Sequence, residues 1–227
     1  MIVAKLVAVV IVSYLLGSIP FGLIIAKRSS GVDVRDHGSG KIGATNVLRV
    51  AGKKAAAFSL LLDLLKGTLV VVFAGLLFRE DYVEIGSYTL WLARSAGALA
   101  ALVAVCGHKW SIFLKFKGGR GVATFFGGFI ALCPVAALFG GEVLFIGAGL
   151  TRYVSLGSIA GAVGTYAILV PLTIFGGFPV EYLIYAFIGA LFIIVWHRDN
   201  ISRLLAGKER KLGERVPVSN STSSNPS

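Results

Sequence analysis

The sequence predicts an all-α integral membrane protein, a polytopic bundle of about seven transmembrane helices with its N-terminus outside and its C-terminus in the cytoplasm. Three observations carry this expectation. Of the 227 residues 56% are hydrophobic, well above the usual share of a soluble domain. The mean hydropathy is +0.83. The apolar residues also fall in runs that approach or exceed the roughly 20 residues a spanning helix needs.

The first run, 2–26, lacks an A-x-A-like cleavage site and stops at Lys27-Arg28, so it reads as a retained span and not as a signal peptide. The second, 55–78, is interrupted by Asp63 and Lys66. Each would cost about 3 kcal/mol if unpaired at mid-bilayer, so the two are expected to pair toward the bundle interior. The third, 85–106, contains Arg94, which either snorkels to the outer surface or answers Glu80, Asp81 or Glu84. The stretch 122–150 is split at Cys133-Pro134 and suits either two short tilted spans or a re-entrant hairpin. The runs 154–176 and 180–196 complete the set.

Lys and Arg resist translocation and collect on the cytoplasmic side. They concentrate in 27–54, in 107–121 and after 198, which places those three segments inside. The 79–84 loop and the turns at 140–142 and 176–181 carry mostly acidic charge and are assigned outside. Residues 1–213 read as one membrane domain, and 214–227 as a polar, disordered tail.

A net charge of +11 would suggest nucleic acid in a soluble protein, but here the cations flank spans, where anionic headgroups account for them. Cys106 and Cys133 lack C-x-x-C or metal spacing and read as inert buried thiols. No cofactor or metal is expected. No internal repeat is evident, which weakens a transporter built from duplicated halves.

Four polar segments exceed what anchoring requires, and the topology puts all of them on the cytoplasmic face. In 39–49, SGKIGATNVLR, the residues Ser39, Thr45, Asn46 and Arg49 offer hydroxyls, an amide and a guanidinium suited to a phosphate or to glycerol hydroxyls; the plainer alternative is a loop that caps the next helix. In 107–124, GHKWSIFLKFKGGRGVAT, Lys117 and Arg120 bracket Gly118 and Gly119, with Gly121 following. Those glycines would let backbone N–H groups converge on phosphate, aided by the helix opening at Val122. His108 reads more readily as a helix-end hydrogen-bonding residue than as a base. The third segment supplies Arg152, Ser155 and Ser158. The fourth places His197 and Asn200 three apart on one helix face, where they would orient a nucleophile or accept its proton; the alternative is an amphipathic helix lying on anionic lipid through Arg203, Lys208 and Arg210.

Taken in order, GSIPFG at 17–22, SGKIGATNVLR at 39–49, DLLKG at 63–67, the 107–124 segment, RYVSLGSI at 152–159 and WHRDNISRLLAGKERK at 196–211 resemble the bacterial acyl-phosphate:glycerol-3-phosphate acyltransferase family. The resemblance implies a seven-span enzyme of the bacterial cytoplasmic membrane that acylates the 1-hydroxyl of glycerol 3-phosphate. It implies acyl phosphate as donor, lysophosphatidic acid and inorganic phosphate as products, and functional coupling to the enzyme that makes acyl phosphate. It also implies substrate contacts from Ser39, Arg49, the 118–121 loop and Ser155, with His197 and Asn200 at the reacting centre. The chain departs from the family pattern at Arg120, usually Lys, at Lys41, usually Asn, and at Ser111, often Pro. Arg120 keeps the positive charge and gains a bidentate fork.

Overall fold

The computed structural model describes residues 1–86 and 88–214, so the polar tail anticipated from 214 lies, apart from Glu214 itself, outside the described residues. Nine α-helices are present among the described residues. The predicted first span is two helices, α1 (Ile2–Ser18) and α2 (Phe21–Ser30), broken at Ile19-Pro20. Proline cannot donate a backbone hydrogen bond and disfavours helical geometry in the residue before it. The Ile19 carbonyl released by the break accepts a hydrogen bond from the Lys66 ammonium at 3.1 Å.

Helix α3 (Ala44–Leu77) runs for 34 residues but is bent at Gly52, whose φ of 84° and ψ of −179° are readily accessible only to glycine. The bend separates a short N-terminal piece bearing Arg49 from the predicted second span. Next comes an antiparallel hairpin of β1 (Tyr82–Ile85) and β2 (Tyr88–Trp91), in which Tyr82 pairs with Trp91. Helix α4 (Leu92–Lys109) therefore starts seven residues later than the apolar run beginning at 85 predicts. Hydropathy does not distinguish Tyr, Val, Thr and Trp in a strand from the same residues in a span, although these types favour strands.

A short 3-10 turn (Ile112–Leu114) leads into the glycine loop, then α5 (Val122–Leu132) and α6 (Pro134–Thr151). The break at Cys133-Pro134 falls where the sequence places it. With 11 residues, α5 rises roughly 16 Å, about half the hydrocarbon core, so the first arm of this hairpin is too short to cross alone. The external turn expected at 140–142 does not exist, because Gly140 and Glu142 lie inside α6. Gly140 serves helix contact instead: a Cβ there would stand 1.9 Å from Thr165 Oγ1 and 2.8 Å from the Gly161 carbonyl oxygen of the neighbouring helix. Helices α7 (Val154–Ile174), α8 (Val180–Trp196) and α9 (Arg198–Leu205) follow, with α8 and α9 bent by 58°.

Five helical stretches among the described residues are long and apolar enough to cross a membrane, and the α8–α9 pair makes six. Helices α3 and α4 form the centre, flanked by α1, α5 and α8, while α6 and α7 pair alongside. The aromatic core of Phe125, Phe129 and Tyr185 ties α5 to α8, with the Tyr185 hydroxyl donating to the Phe125 carbonyl at 3.0 Å. Asp63 and Lys66 pair at 2.8 Å with side chains 2% and 1% exposed, as the sequence requires. His108 joins them, its Nδ1 lying 2.9 Å from the Lys66 ammonium. Lys5 pairs with Asp81, whereas Arg94 is exposed and forms no ion pair among the described residues.

Candidate active site

One cavity of about 750 Å³ gathers residues from all four polar segments. Ser39, Thr45, Asn46, Arg49, Arg120, Gly121, Ser155, His197 and Asn200 line its polar end. From there it continues between α3, α5 and α6 along Leu64, Phe126, Ile130, Leu138 and Phe145. A charged head and an apolar tail therefore have adjoining compartments.

Asn46 organises the first segment. Its Nδ2 donates to the carbonyls of Val34 at 2.7 Å, Lys41 at 2.9 Å and His37 at 3.1 Å, and its Oδ1 accepts the Ser39 N–H at 3.0 Å. Both N–H bonds of the Asn46 amide are thus taken up by the 34–41 loop, so Asn46 shapes the loop that presents Ser39 while itself bordering the cavity. Asp33 closes the base of the same loop by gripping Arg35 through two bonds, at 2.6 and 2.9 Å. The bond from Arg35 holds the Asp33 carboxyl well below its ordinary value, against the opposing effect of burial. Arg49, on the first turns of α3, forms no ion pair among the described residues.

The glycine loop works differently from its sequence reading. The N–H of Gly118 donates to the Lys109 carbonyl at 2.9 Å and that of Gly119 to the His108 carbonyl at 3.0 Å, so neither is free to hold phosphate. A Cβ would stand 2.0 Å from the His108 carbonyl oxygen at Gly118, and 2.1 Å from His108 Nε2 at Gly119. These residues are glycine because the loop lies flat on the end of α4. Lys117 is exposed and, like Gly118 and Gly119, does not line the cavity. The consequence is felt at Arg120, whose Nε is buried without a hydrogen-bond partner. Burial, only partly offset by Glu209, pulls its guanidinium down to about 10. Gly121, at φ 74°, then turns the chain into α5. The first bond of that helix runs from Phe125 N–H to the Gly121 carbonyl, so the N–H groups of Val122, Ala123 and Thr124 precede the helical ladder.

His197 is the first residue beyond α8 and is 2% exposed. Its Nδ1 lies 2.7 Å from the Ile193 carbonyl, which can only accept, so Nδ1 carries the proton and Nε2 the lone pair. Burial first, then the nearby Arg120 charge, lower its pKa to about 4, against the pull of the Ile193 carbonyl. Burial and the neighbouring charge thus favour the neutral ring. One helical turn on, the Asn200 N–H donates to the His197 carbonyl at 2.8 Å. Trp196 buttresses this corner, packing edge-on against Trp110 with Lys109 over its ring.

Arg203 and Glu209 take roles that their local sequence does not reveal. In place of a lipid-facing cation, Arg203 is a partner of the strap that follows it: its Nε donates to Glu209 Oε2 at 2.7 Å, and both residues line the cavity. Glu209 Oε1 also accepts from Asn200 Nδ2 at 2.6 Å and from Ser155 Oγ at 2.9 Å. Burial raises this carboxyl, but the three donations outweigh it and hold it below its usual value. The available signal is a single acid in the otherwise basic 203–211 stretch. The chain from 206 onward folds back over the site and is tied down by Leu212 N–H to the Arg152 carbonyl at 2.6 Å and Arg152 Nη2 to the Leu212 carbonyl at 3.1 Å. Ser158 also borders the cavity, and its hydroxyl donates to the Val154 carbonyl at 2.8 Å.

Comparison with known proteins gives a consistent result. Residues 7–207 match the family model described as glycerol-3-phosphate acyltransferase. The chain is 61% identical over 216 residues to "Glycerol-3-phosphate acyltransferase 3" of Dehalococcoides mccartyi, covering 95% of this chain and 100% of the relative. It is 43% identical to "Glycerol-3-phosphate acyltransferase" of Halalkalibacterium halodurans, covering 91% and 95% of the two chains. Among solved structures, it is similar to the glycerol 3-phosphate form of PlsY, an integral membrane glycerol 3-phosphate acyltransferase, with TM-score 0.79, 40% identity and coverage of 92% and 96%. The lysophosphatidic acid form of that protein gives a TM-score of 0.77 at 39% identity, with coverage of 92% and 95%.

Proposed function

This chain belongs to the glycerol-3-phosphate acyltransferase family of integral membrane enzymes, and on that premise we propose that it moves a fatty acyl group from acyl phosphate to the 1-hydroxyl of glycerol 3-phosphate, releasing lysophosphatidic acid and inorganic phosphate. The carrying observation is that Arg49 and Arg120 border one cavity without ion-pair partners among the described residues, while the same cavity runs on into an apolar slot between helices. Two unanswered guanidinium groups favour phosphate, and the slot favours an acyl chain.

Acyl phosphate is a mixed anhydride, so the leaving phosphate departs as an anion that needs charge stabilisation, with no covalent enzyme intermediate. Arg120 and the first N–H groups of α5 serve that phosphate. Arg49 and Ser39 steer the phosphate of the acceptor, bringing its 1-hydroxyl to the acyl carbonyl near His197. The hydroxyl proton has two acceptors here, His197 Nε2 and the departing phosphate itself. We place the site on the cytoplasmic face of the helical bundle, with the N-terminus outside and the short α5 arm of the α5–α6 hairpin entering from that same face. The basic segments 27–54, 107–121 and 198–211 contribute to the same end of the cavity, and the positive-inside bias assigns that end to the cytoplasm.

The donor is the sharpest test. Purified protein in lipid or detergent, given glycerol 3-phosphate, is expected to form lysophosphatidic acid and phosphate from acyl phosphate and no product from acyl-CoA. Equal turnover with acyl-CoA would overturn the donor assignment, and no product from either would overturn the reaction.

A further inference from the structure

Asn200 is buried at 4% exposure, and its two amide ends differ sharply. Nδ2 is held by the Glu209 carboxylate at 2.6 Å. A carboxylate only accepts, so this contact fixes which end of the amide is nitrogen. Oδ1, the opposite end, is buried without a hydrogen-bond partner, and Asn200 lines the cavity. An unmet acceptor in a dry site calls for a ligand that brings a donor. An ionised acyl phosphate has no such group, whereas the acceptor substrate has its hydroxyls.

We infer that Glu209 is a positioning residue that locks the Asn200 amide so that Oδ1 receives the hydrogen bond of the substrate hydroxyl that is to be acylated. This rests on the reaction proposed above and adds how the site recognises the nucleophile. Three donors converge on Glu209: Asn200 and Ser155 on Oε1, Arg203 on Oε2. With glutamine at 209, the charged Arg203 keeps the one remaining oxygen, and the new NH2 group faces Asn200. The Asn200 amide must then turn over, presenting a donor to the cavity where an acceptor is needed. The strap from 206 to 212, tied to Arg152 at both the Leu212 N–H and carbonyl, holds Glu209 at this post.

Equilibrium binding tests this without turnover. Calorimetry compares glycerol 3-phosphate with 2-hydroxypropyl phosphate, which lacks the 1-hydroxyl. Wild type is expected to favour glycerol 3-phosphate by about tenfold, because the analogue leaves a buried acceptor unmet. Glu209→Gln should bind the analogue as wild type does and lose the preference. Adding Asn200→Asp to Glu209→Gln restores a cavity-facing acceptor, since the introduced glutamine amide donates to one oxygen of the new carboxylate and leaves the other free. The double variant should regain the preference and exceed Asn200→Asp alone in turnover by about tenfold. Equal wild-type affinity for the two ligands overturns the inference, as does a full preference in Glu209→Gln or no recovery in the double variant. Wild type that binds neither ligand overturns the glycerol 3-phosphate site itself and the inference with it.

Discussion

Arg49→Ala and His197→Ala are each expected to lower kcat/KM by at least about a hundredfold while leaving the protein folded in the membrane. Arg49 makes no ion pair among the described residues, and it sits before the Gly52 bend, outside the long spanning part of α3. Its removal leaves the bundle intact but takes a cation from the acceptor phosphate. Arg49→Lys retains charge without the planar fork and should recover only part of the rate. His197 is more embedded, with Nδ1 bonded to Ile193 and its carbonyl accepting from Asn200. Truncation removes the Nε2 lone pair from the site, while the main-chain bond to Asn200 persists. Steady-state kinetics on variants matched for expression and melting behaviour provide the check. Near-wild-type rates in both variants would remove these residues from the reaction centre.

Asp63→Ala should be the most damaging single change to stability, by about 3–5 kcal/mol, because it strands the Lys66 ammonium in the interior. Lys66 is 1% exposed, and after the loss of Asp63 it keeps the Ile19 carbonyl, the His108 ring and the face of Phe21, none of which carries a negative charge. The loss reaches the site as well, since His108 supplies the carbonyl that holds Gly119 and the ring surface on which Gly119 lies. Asp63→Leu combined with Lys66→Met removes both charges and should recover most of the loss. Thermal unfolding in detergent, followed by circular dichroism, measures both. An Asp63→Ala midpoint close to wild type would show that the pair carries little of the stability.

What the sequence reveals depends on whether a residue's role is local. The break at Cys133-Pro134 follows from proline alone, and the Asp63–Lys66 pair from the cost of two charges in an apolar run. The four polar segments are visible as residue types, and Arg49, Arg120, Ser155, His197 and Asn200 do share one cavity. Glycine is harder to read, because the same residue suits a turn, an anion-binding loop and a close helix contact. Gly140 proves to be the last of these, against Thr165, and Gly118 and Gly119 lie against the end of α4. Only the distant partner distinguishes the three roles, and it is absent from local pattern. Glu209 is hidden for the same reason: its partners Ser155 and Asn200 are 54 and 9 residues away, joined by a chain reversal that hydropathy does not record.

A single site requires that segments far apart in sequence meet on one face of the membrane. With Cys106 and Cys133 replaced, single cysteines at the exposed positions Arg35, Lys117, Arg152 and Arg198 can be labelled by an impermeant thiol reagent in right-side-out and inverted vesicles, with Glu84 as the opposite-face control. All four should react from the cytoplasmic side and the control from the other. Reaction of any of the four from the control's side alone would separate that segment from the others and dissolve the shared site.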